Sequence, residues 1–155
     1  MDARIVYKNL GAGSRFDLHL AAGDLVGEQG LRTAVILSLF LDRRAEPDDE
    51  IPDGTGDLRG WWGDAYAETP GDRIGSRLWL LAREKQLPQV VRRAEEYARE
   101  ALQWLLDDGI ATAVEVEGGI AASGTLALRV RIVAPAGTLL DFTVELPESG
   151  PAIVA

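Results

Sequence analysis

The chain contains no cysteine, a single histidine and no apolar run long enough to cross a bilayer. Without cysteine there is no disulfide, no thiolate metal site and no cysteine nucleophile. Such a composition suits a reducing cytoplasm and equally a particle released from the cell. The longest apolar stretch, Ala34 to Leu41, is interrupted by Ser38 and closed by Asp42, Arg43 and Arg44. That is far short of the ~20 residues a membrane helix needs. The opening MDARIVYKNL has an acid at its second position and no long apolar stretch, so it does not read as a secretory signal. Basic residues are also scarce. Sixteen Lys and Arg against 25 Asp and Glu leave a formal net charge of −9. Affinity for nucleic acid comes mainly from neutralising phosphates, so nucleic acid is not an expected partner. The acidity serves solubility, or docking against a basic protein surface.

Recognisable catalytic motifs are missing as well. His19 lies between Leu18 and Leu20 in an alternating segment. A zinc site or triad needs partners in a motif that this chain does not supply, so His19 reads as structural. The acidic stretch DDEIPDGTGD invites a calcium reading. Counted from Asp49, however, the third position is Ile51 and the twelfth is Gly60, where an EF-hand loop needs oxygen ligands. Asp48, Asp49, Glu50, Asp53 and Asp57 then belong to a solvated loop. A glycosidase-type carboxylate pair cannot be singled out from 25 acids. Gly11, Gly13, Gly54 and Gly56 match no phosphate-binding or dinucleotide pattern, and there is no G-x-S-x-G elbow. No catalytic, metal or cofactor residue is assigned, and no enzymatic activity is expected.

What the sequence does have is clear periodicity. Arg4 to Leu20 alternates as short strands around a turn carrying Gly11 and Gly13. Gly30 to Leu41 fits a helical face through Leu31, Ala34, Val35 and Ser38; its apolar density also allows a buried strand. Leu31, Arg32 and Ala34 open it and few β-branched residues follow, so a helix is expected. Helical spacing restarts at Arg73 to Lys85 through Ile74, Leu78 and Leu81. Pro88 to Asp107 is the clearest element. Leu87, Val90, Val91, Ala94, Ala98, Ala101, Leu102 and Leu105 form one apolar stripe, and Arg92, Glu95, Glu96, Arg99 and Glu100 take the other side. Pro88 suits its first turn and Gly109 its stop. Asp107 and Asp108 oppose the helix dipole there, which either marks a contact surface or is simply tolerated.

Three strands follow, each with an apolar and a polar face. They run through Ile110 to Val116, Leu126 to Ile132 and Leu140 to Leu146. The polar faces carry Glu115 and Glu117, then Arg129 and Arg131, then Asp141 and Glu145. Cross-strand charge pairing favours the order in which the basic strand lies between the two acidic ones. The tail PESGPAIVA reads as loose, or as adding to a sheet with its last apolar residues. The expected fold is α+β: one domain over 1–155, with an antiparallel C-terminal meander packed with one long and one or two shorter helices.

Asp42 to Asp72 is irregular, with Pro47, Pro52, Pro70 and five glycines. It also holds Trp61, Trp62 and Tyr66, so it reads as an ordered loop packed on the domain or on a partner. Adjacent residues of extended backbone face opposite ways. Either one tryptophan fills the core while the other meets a partner, or both are core plugs.

The blocks GLRTAVILSLFLDRRAEPDDEIPDG, DLRGWWGD, RIGSRLWLL and YAREALQWLLDDGIA, in that order over Gly30 to Ala111, resemble the Mu-type phage tail protein family. That family is similar to the gene-25-like baseplate wedge proteins, which include the sheath initiators of contractile tails. The resemblance implies a fold like the handshake domain of a tail sheath. It implies a structural part in the baseplate of a virion tail, assembled in the host cytoplasm. The implied partners are the wedge proteins, the spike or hub, the tail tube and the first sheath ring. A tail-borne, lysozyme-like cell-wall hydrolase and a tail-assembly chaperone are the rival readings. Many gene-25-like proteins carry a Glu-Pro-Arg motif after a tryptophan-containing helix. With Trp104 in the tryptophan position, this chain reads Leu105, Leu106, Asp107, Asp108, Gly109, Ile110, without the motif.

The candidate partner interface therefore comprises Arg59, Trp61, Trp62, Asp64, Arg77 and Trp79 from the aromatic blocks, Asp107 and Asp108 at the helix end, and Leu140, Phe142 and Val144 on the last strand. A sheath initiator would offer an unpaired strand edge to another chain. Thr138 to Leu146 contains neither the lysine nor the internal proline that protects ordinary edges.

Overall fold

The structure, a computed structural model, describes residues 3–9, 14–20, 27–82, 84, 88–122, 124–146 and 152–154. The chain divides into two compact units, Met1–Leu37 and Ser38–Ala155.

The first unit opens with a two-stranded antiparallel ribbon. Strand β1 (Ala3–Asn9) pairs with β2 (Ser14–Leu20), setting Ile5 opposite Leu18 and Tyr7 opposite Phe16. The glycine turn and the His19 side chain lie outside the described residues. Helix α1 (Gly27–Phe40) follows, so the ambiguous apolar segment is a helix. Its buried positions are Val35, Ile36, Ser38 and Leu39, while Leu31 and Ala34 are half-buried. Ser38 begins the second unit.

The second unit is α+β. After the long loop comes a 3-10 turn, Arg77–Leu81, whose Leu78, Trp79, Leu80 and Leu81 are all buried. Ser76 caps it through its hydroxyl, which accepts from the Leu78 N–H at 3.3 Å and donates to the Leu39 carbonyl. Among the described residues, the helix expected over Arg73 to Lys85 is one tight turn, and Ile74 precedes it.

Helix α2 (Pro88–Ala101) buries Val90, Ala94, Tyr97, Ala98 and Ala101, with Pro88 at its first position. The long helix expected to Asp107 is interrupted. From Leu102 the backbone tightens toward i→i−3 bonding: Leu102 N–H is shared between Ala98 O and Arg99 O, each at 3.2 Å, and Gln103 N–H reaches Glu100 O at 3.3 Å. A short helix, α3 (Trp104–Asp107), then completes the segment. The three-residue phase keeps Leu102 and Leu105 on one side, and both are fully buried. Trp104 meanwhile donates its indole N–H to the Ser38 hydroxyl at 3.1 Å. Gly109, with φ +69, ends the element.

Strands β3 (Ala113–Ile120), β4 (Leu126–Ala134) and β5 (Gly137–Leu146) form the expected meander, and β6 (Ala152–Val154) adds a fourth strand beside β5. All pairs are antiparallel. One face buries Val116, Leu126, Leu128, Val130, Ile132 and Val144. The other face carries the predicted charge order. Glu115, Arg131 and Asp141 stand in one cross-strand row. Arg131 pairs with Glu115 at 3.3 Å and with Asp141 at 3.5 Å, and Arg129 reaches Asp141 at 2.9 Å.

Helix α2 packs against β3. Gly118 allows the approach, since a Cβ there would stand 2.6 Å from Val91 Cγ1 and 3.1 Å from Glu95 Cγ. The Gly118 N–H donates to Glu95 Oε1 at 2.7 Å, and Arg99 donates to the Val116 carbonyl at 2.7 Å. Those two backbone groups would otherwise be free for a neighbouring strand. The i,i+4 pair on α2 therefore caps the outer edge of β3.

Candidate functional site

The loop between α1 and the 3-10 turn is built around Trp79. Its indole N–H donates to the Arg43 carbonyl at 2.8 Å, and the ring is 8% exposed. The Arg59 guanidinium lies over the ring face, 4.4 Å from its centroid, at a distance where the π-face attracts a cation. Arg59 also pairs with Asp42 at 2.8 Å and Asp53 at 3.9 Å. Its backbone sits at φ +52, unusual for a residue with a Cβ. That conformation is held from both sides: Asp57 accepts from the Arg59 N–H at 2.9 Å, and Arg44 donates to its carbonyl at 3.3 Å.

Three further ties order the loop. Arg43 N–H bonds to Ser76 O at 3.0 Å, Ser76 N–H to Leu41 O at 2.9 Å, and Ala45 N–H to Leu58 O at 2.9 Å. Arg77 is the fourth anchor. It bonds Asp49 at 3.1 Å and Glu100 at 3.0 Å, and stacks 4.5 Å from the Tyr97 ring centroid. Burial alone would lower its pKa, but the hydrogen bonds to Asp49 and Glu100 outweigh this and hold the guanidinium above its ordinary value. Three of the five acids that suggested a cation loop are thus put to other use. Asp49 clamps Arg77 and accepts from the Glu46 N–H at 2.8 Å, and Asp53 and Asp57 fasten turns through Thr55 and Arg59.

On this base stands an exposed aromatic cluster. Trp61 is 47% exposed, Trp62 75% and Tyr66 80%. The Trp61 and Trp62 centroids are 5.6 Å apart, and Trp62 meets Tyr66 edge-on at 6.3 Å. A 3-10 turn, Trp62–Tyr66, sets this spacing. Gly63 is needed within it because the Trp61 ring lies where its Cβ would be. Asp64 accepts from the Ile74 N–H at 3.2 Å and so ties the turn to the chain that follows. Neither member of the tryptophan pair is a core plug. The alternation of extended backbone does not apply, since Trp62 opens a helical turn and the core position is taken by Trp79.

The second candidate surface is the sheet edge. With β3 capped by α2, β5 is the side left for pairing. There, β6 covers Thr143 to Glu145. Gly137 to Phe142 has no strand beside it on that side among the described residues.

Residues 31–139 match the family of phage protein GP46. The chain belongs to that family. It is 41% identical over 141 residues to the baseplate protein gp46 of Escherichia phage Mu, covering 91% of this chain and 92% of that protein. It is also 41% identical over 122 residues to the Mu-like prophage FluMu protein gp46 of Haemophilus influenzae, covering 79% of this chain and 82% of that one. The resemblance to a Mu-like family read from the aromatic blocks is therefore correct.

Members of the predicted interface set fall into four places. Arg59, Asp64, Arg77 and Trp79 are committed to the loop's own framework. Trp61 and Trp62 stand out from it. Leu140 and Phe142 are half-buried on β5, whereas Val144 is fully buried and faces β6 through its backbone. Asp107 and Asp108 are exposed, with Asp107 taking a hydrogen bond from Gln103 at 2.9 Å. Sequence reasoning missed Tyr66 as a member of the exposed cluster, although its spacing of four from Trp62 was visible. It also missed Glu95 and Arg99 as edge caps, because an i,i+4 pair on a polar helix face reads as a surface pair.

Proposed function

We propose that this chain is a non-enzymatic structural component of a phage tail baseplate, where it links wedge and hub to the tube of a contractile tail. We further propose that it helps start the sheath by pairing β5 with a strand of a neighbouring chain. The observation that carries the baseplate reading is the 41% identity, over nine-tenths of both chains, to the Mu baseplate protein. Two structural features support strand pairing. Two outward backbone groups of β3, the Gly118 N–H and the Val116 carbonyl, are occupied by Glu95 and Arg99. The Gly137 to Phe142 part of β5 is long enough to accept a partner strand and carries no lysine or proline to repel one. The proposed location follows, in the virion tail after assembly in the host cytoplasm.

Proline scanning along the edge tests this. Successive N–H groups of an outer strand point alternately toward and away from the sheet. Prolines placed singly at Leu140, Asp141 and Phe142 therefore divide into two classes. One class removes an internal ladder donor and destabilises the protein. The other leaves the fold intact and is expected to abolish sheathed tails. Normal sheathed particles from a folded variant of the second class would contradict the proposal.

A further inference from the structure

The three rings of Trp61, Trp62 and Tyr66 are solvent-facing in a loop that is otherwise tightly tied down, and large exposed aromatics on a rigid base are the usual anchors of protein interfaces. What covers them can be read from two features of the same loop. The first is charge. Residues 42–72 hold ten acids against three arginines, a net −7 of the chain's −9. All three arginines are engaged internally: Arg43 with Glu100, Arg44 with the Arg59 carbonyl, and Arg59 with Asp42 and Asp53. Asp48, Glu50, Glu68 and Asp72 are exposed and have no cationic partner among the described residues. Glu68 follows the aromatic turn by two residues and Asp72 by six. The second is the way this protein treats two other aromatic faces, those of Trp79 and Tyr97. Arg59 lies over Trp79, and Arg77 and Arg93 lie over Tyr97. The faces of Trp62 and Tyr66 have no such arginine among the described residues.

We propose that the Trp61–Trp62–Tyr66 face, with the acids around it, is a docking site for an arginine- or lysine-bearing segment of another protein, held by cation–π stacking and carboxylate pairing. The same charge disfavours nucleic acid and anionic lipid, whose phosphates the loop would repel. The site deepens the baseplate reading by naming the chemistry of a second contact, separate from the β5 edge.

The test uses the full-length protein and a capped Arg-Gly-Arg-Gly-Arg peptide, followed by tryptophan fluorescence and calorimetry. A citrulline peptide of the same shape is the uncharged control. The arginine peptide is expected to bind with an affinity that falls as salt rises, and the citrulline peptide is expected not to bind. Trp62→Ala combined with Tyr66→Ala is expected to weaken binding at least tenfold with unchanged thermal unfolding, and Trp62→Phe with Tyr66→Phe to restore most of it. Binding that ignores the ring substitutions would show only general acidity and overturn the proposal. Ring-dependent binding of a neutral oligosaccharide without binding of the arginine peptide would overturn it too. Particles that contain the chain while the peptide test fails would sink this site alone. Absence of the chain from particles would sink the baseplate reading instead.

Discussion

Glu95 and Gly118 are joined by a 2.7 Å hydrogen bond from the strand's backbone amide to the helix carboxylate. With Arg99 on the Val116 carbonyl, it occupies two backbone groups on the outer edge of β3. An edge strand is open to other chains unless something occupies its outward N–H and C=O groups. Here two side chains of α2 do so, and Gly118 gives them room. On the other side β6 covers Thr143 to Glu145, and Gly137 to Phe142 of β5 has no strand beside it among the described residues.

Gly118→Ala is therefore expected to push α2 away from β3, because the new methyl meets Val91 Cγ1 at 2.6 Å. A clash of this kind costs about 1–3 kcal/mol. Urea unfolding measures it. Glu95→Gln, which keeps an acceptor oxygen, should cost less than Glu95→Ala. Equal losses for the two would mean that the bond to Gly118 does not hold the edge.

Leu102 is fully buried at the point where α2 tightens into α3. Leu102→Ala is expected to cost about 2–5 kcal/mol through lost burial and the cavity left behind. Denaturant unfolding at constant slope would show it. A loss below about 1 kcal/mol would contradict the packing described for this turn.

Arg77 holds Asp49 from the loop and Glu100 from α2 at once. Arg77→Ala is expected to cost about 1.5–3 kcal/mol, the range for hydrogen bonds to charged groups. Hydrogen exchange should speed up selectively across Glu46 to Leu58. Uniform protection in the variant would show that the loop is ordered by other ties.

The fold was legible where local pattern and tertiary environment agree. The three-strand order followed from placing Arg129 and Arg131 between acidic strands, and the structure has that order. The break at Leu102 was not legible, because Ala98, Ala101, Leu102 and Leu105 fit the buried stripe of a continuous helix as well as they fit a tightened turn. The β6 pairing was left open, since three apolar residues in a tail carry almost no periodicity. At the site, the GWWGD block was recognisable. The outward direction of both rings was not, because it depends on a 3-10 turn and on Trp79 filling the core from elsewhere in the sequence.

The outer face of the sheet carries a pH signature. The hydrogen bond from Arg129 holds the Asp141 carboxyl below its ordinary pKa, with Arg131 adding to the effect. A carboxylate depressed in the folded state contributes stability that is present above its unfolded pKa and lost as pH falls through the lower, folded one. Carboxyl NMR titration is expected to find Asp141 depressed in the native protein and returned toward the ordinary value in Arg129→Ala. An unchanged titration in that variant would place the ion pair in doubt.

The central claim is that this chain is a structural part of a tail baseplate, joined to its neighbours through β5. A reconstruction of the assembled tail at side-chain resolution tests it most directly. The account predicts the chain within the baseplate, with a strand from another chain hydrogen-bonded along Gly137 to Phe142. A tail lacking the chain, or one in which that edge faces solvent, would contradict it.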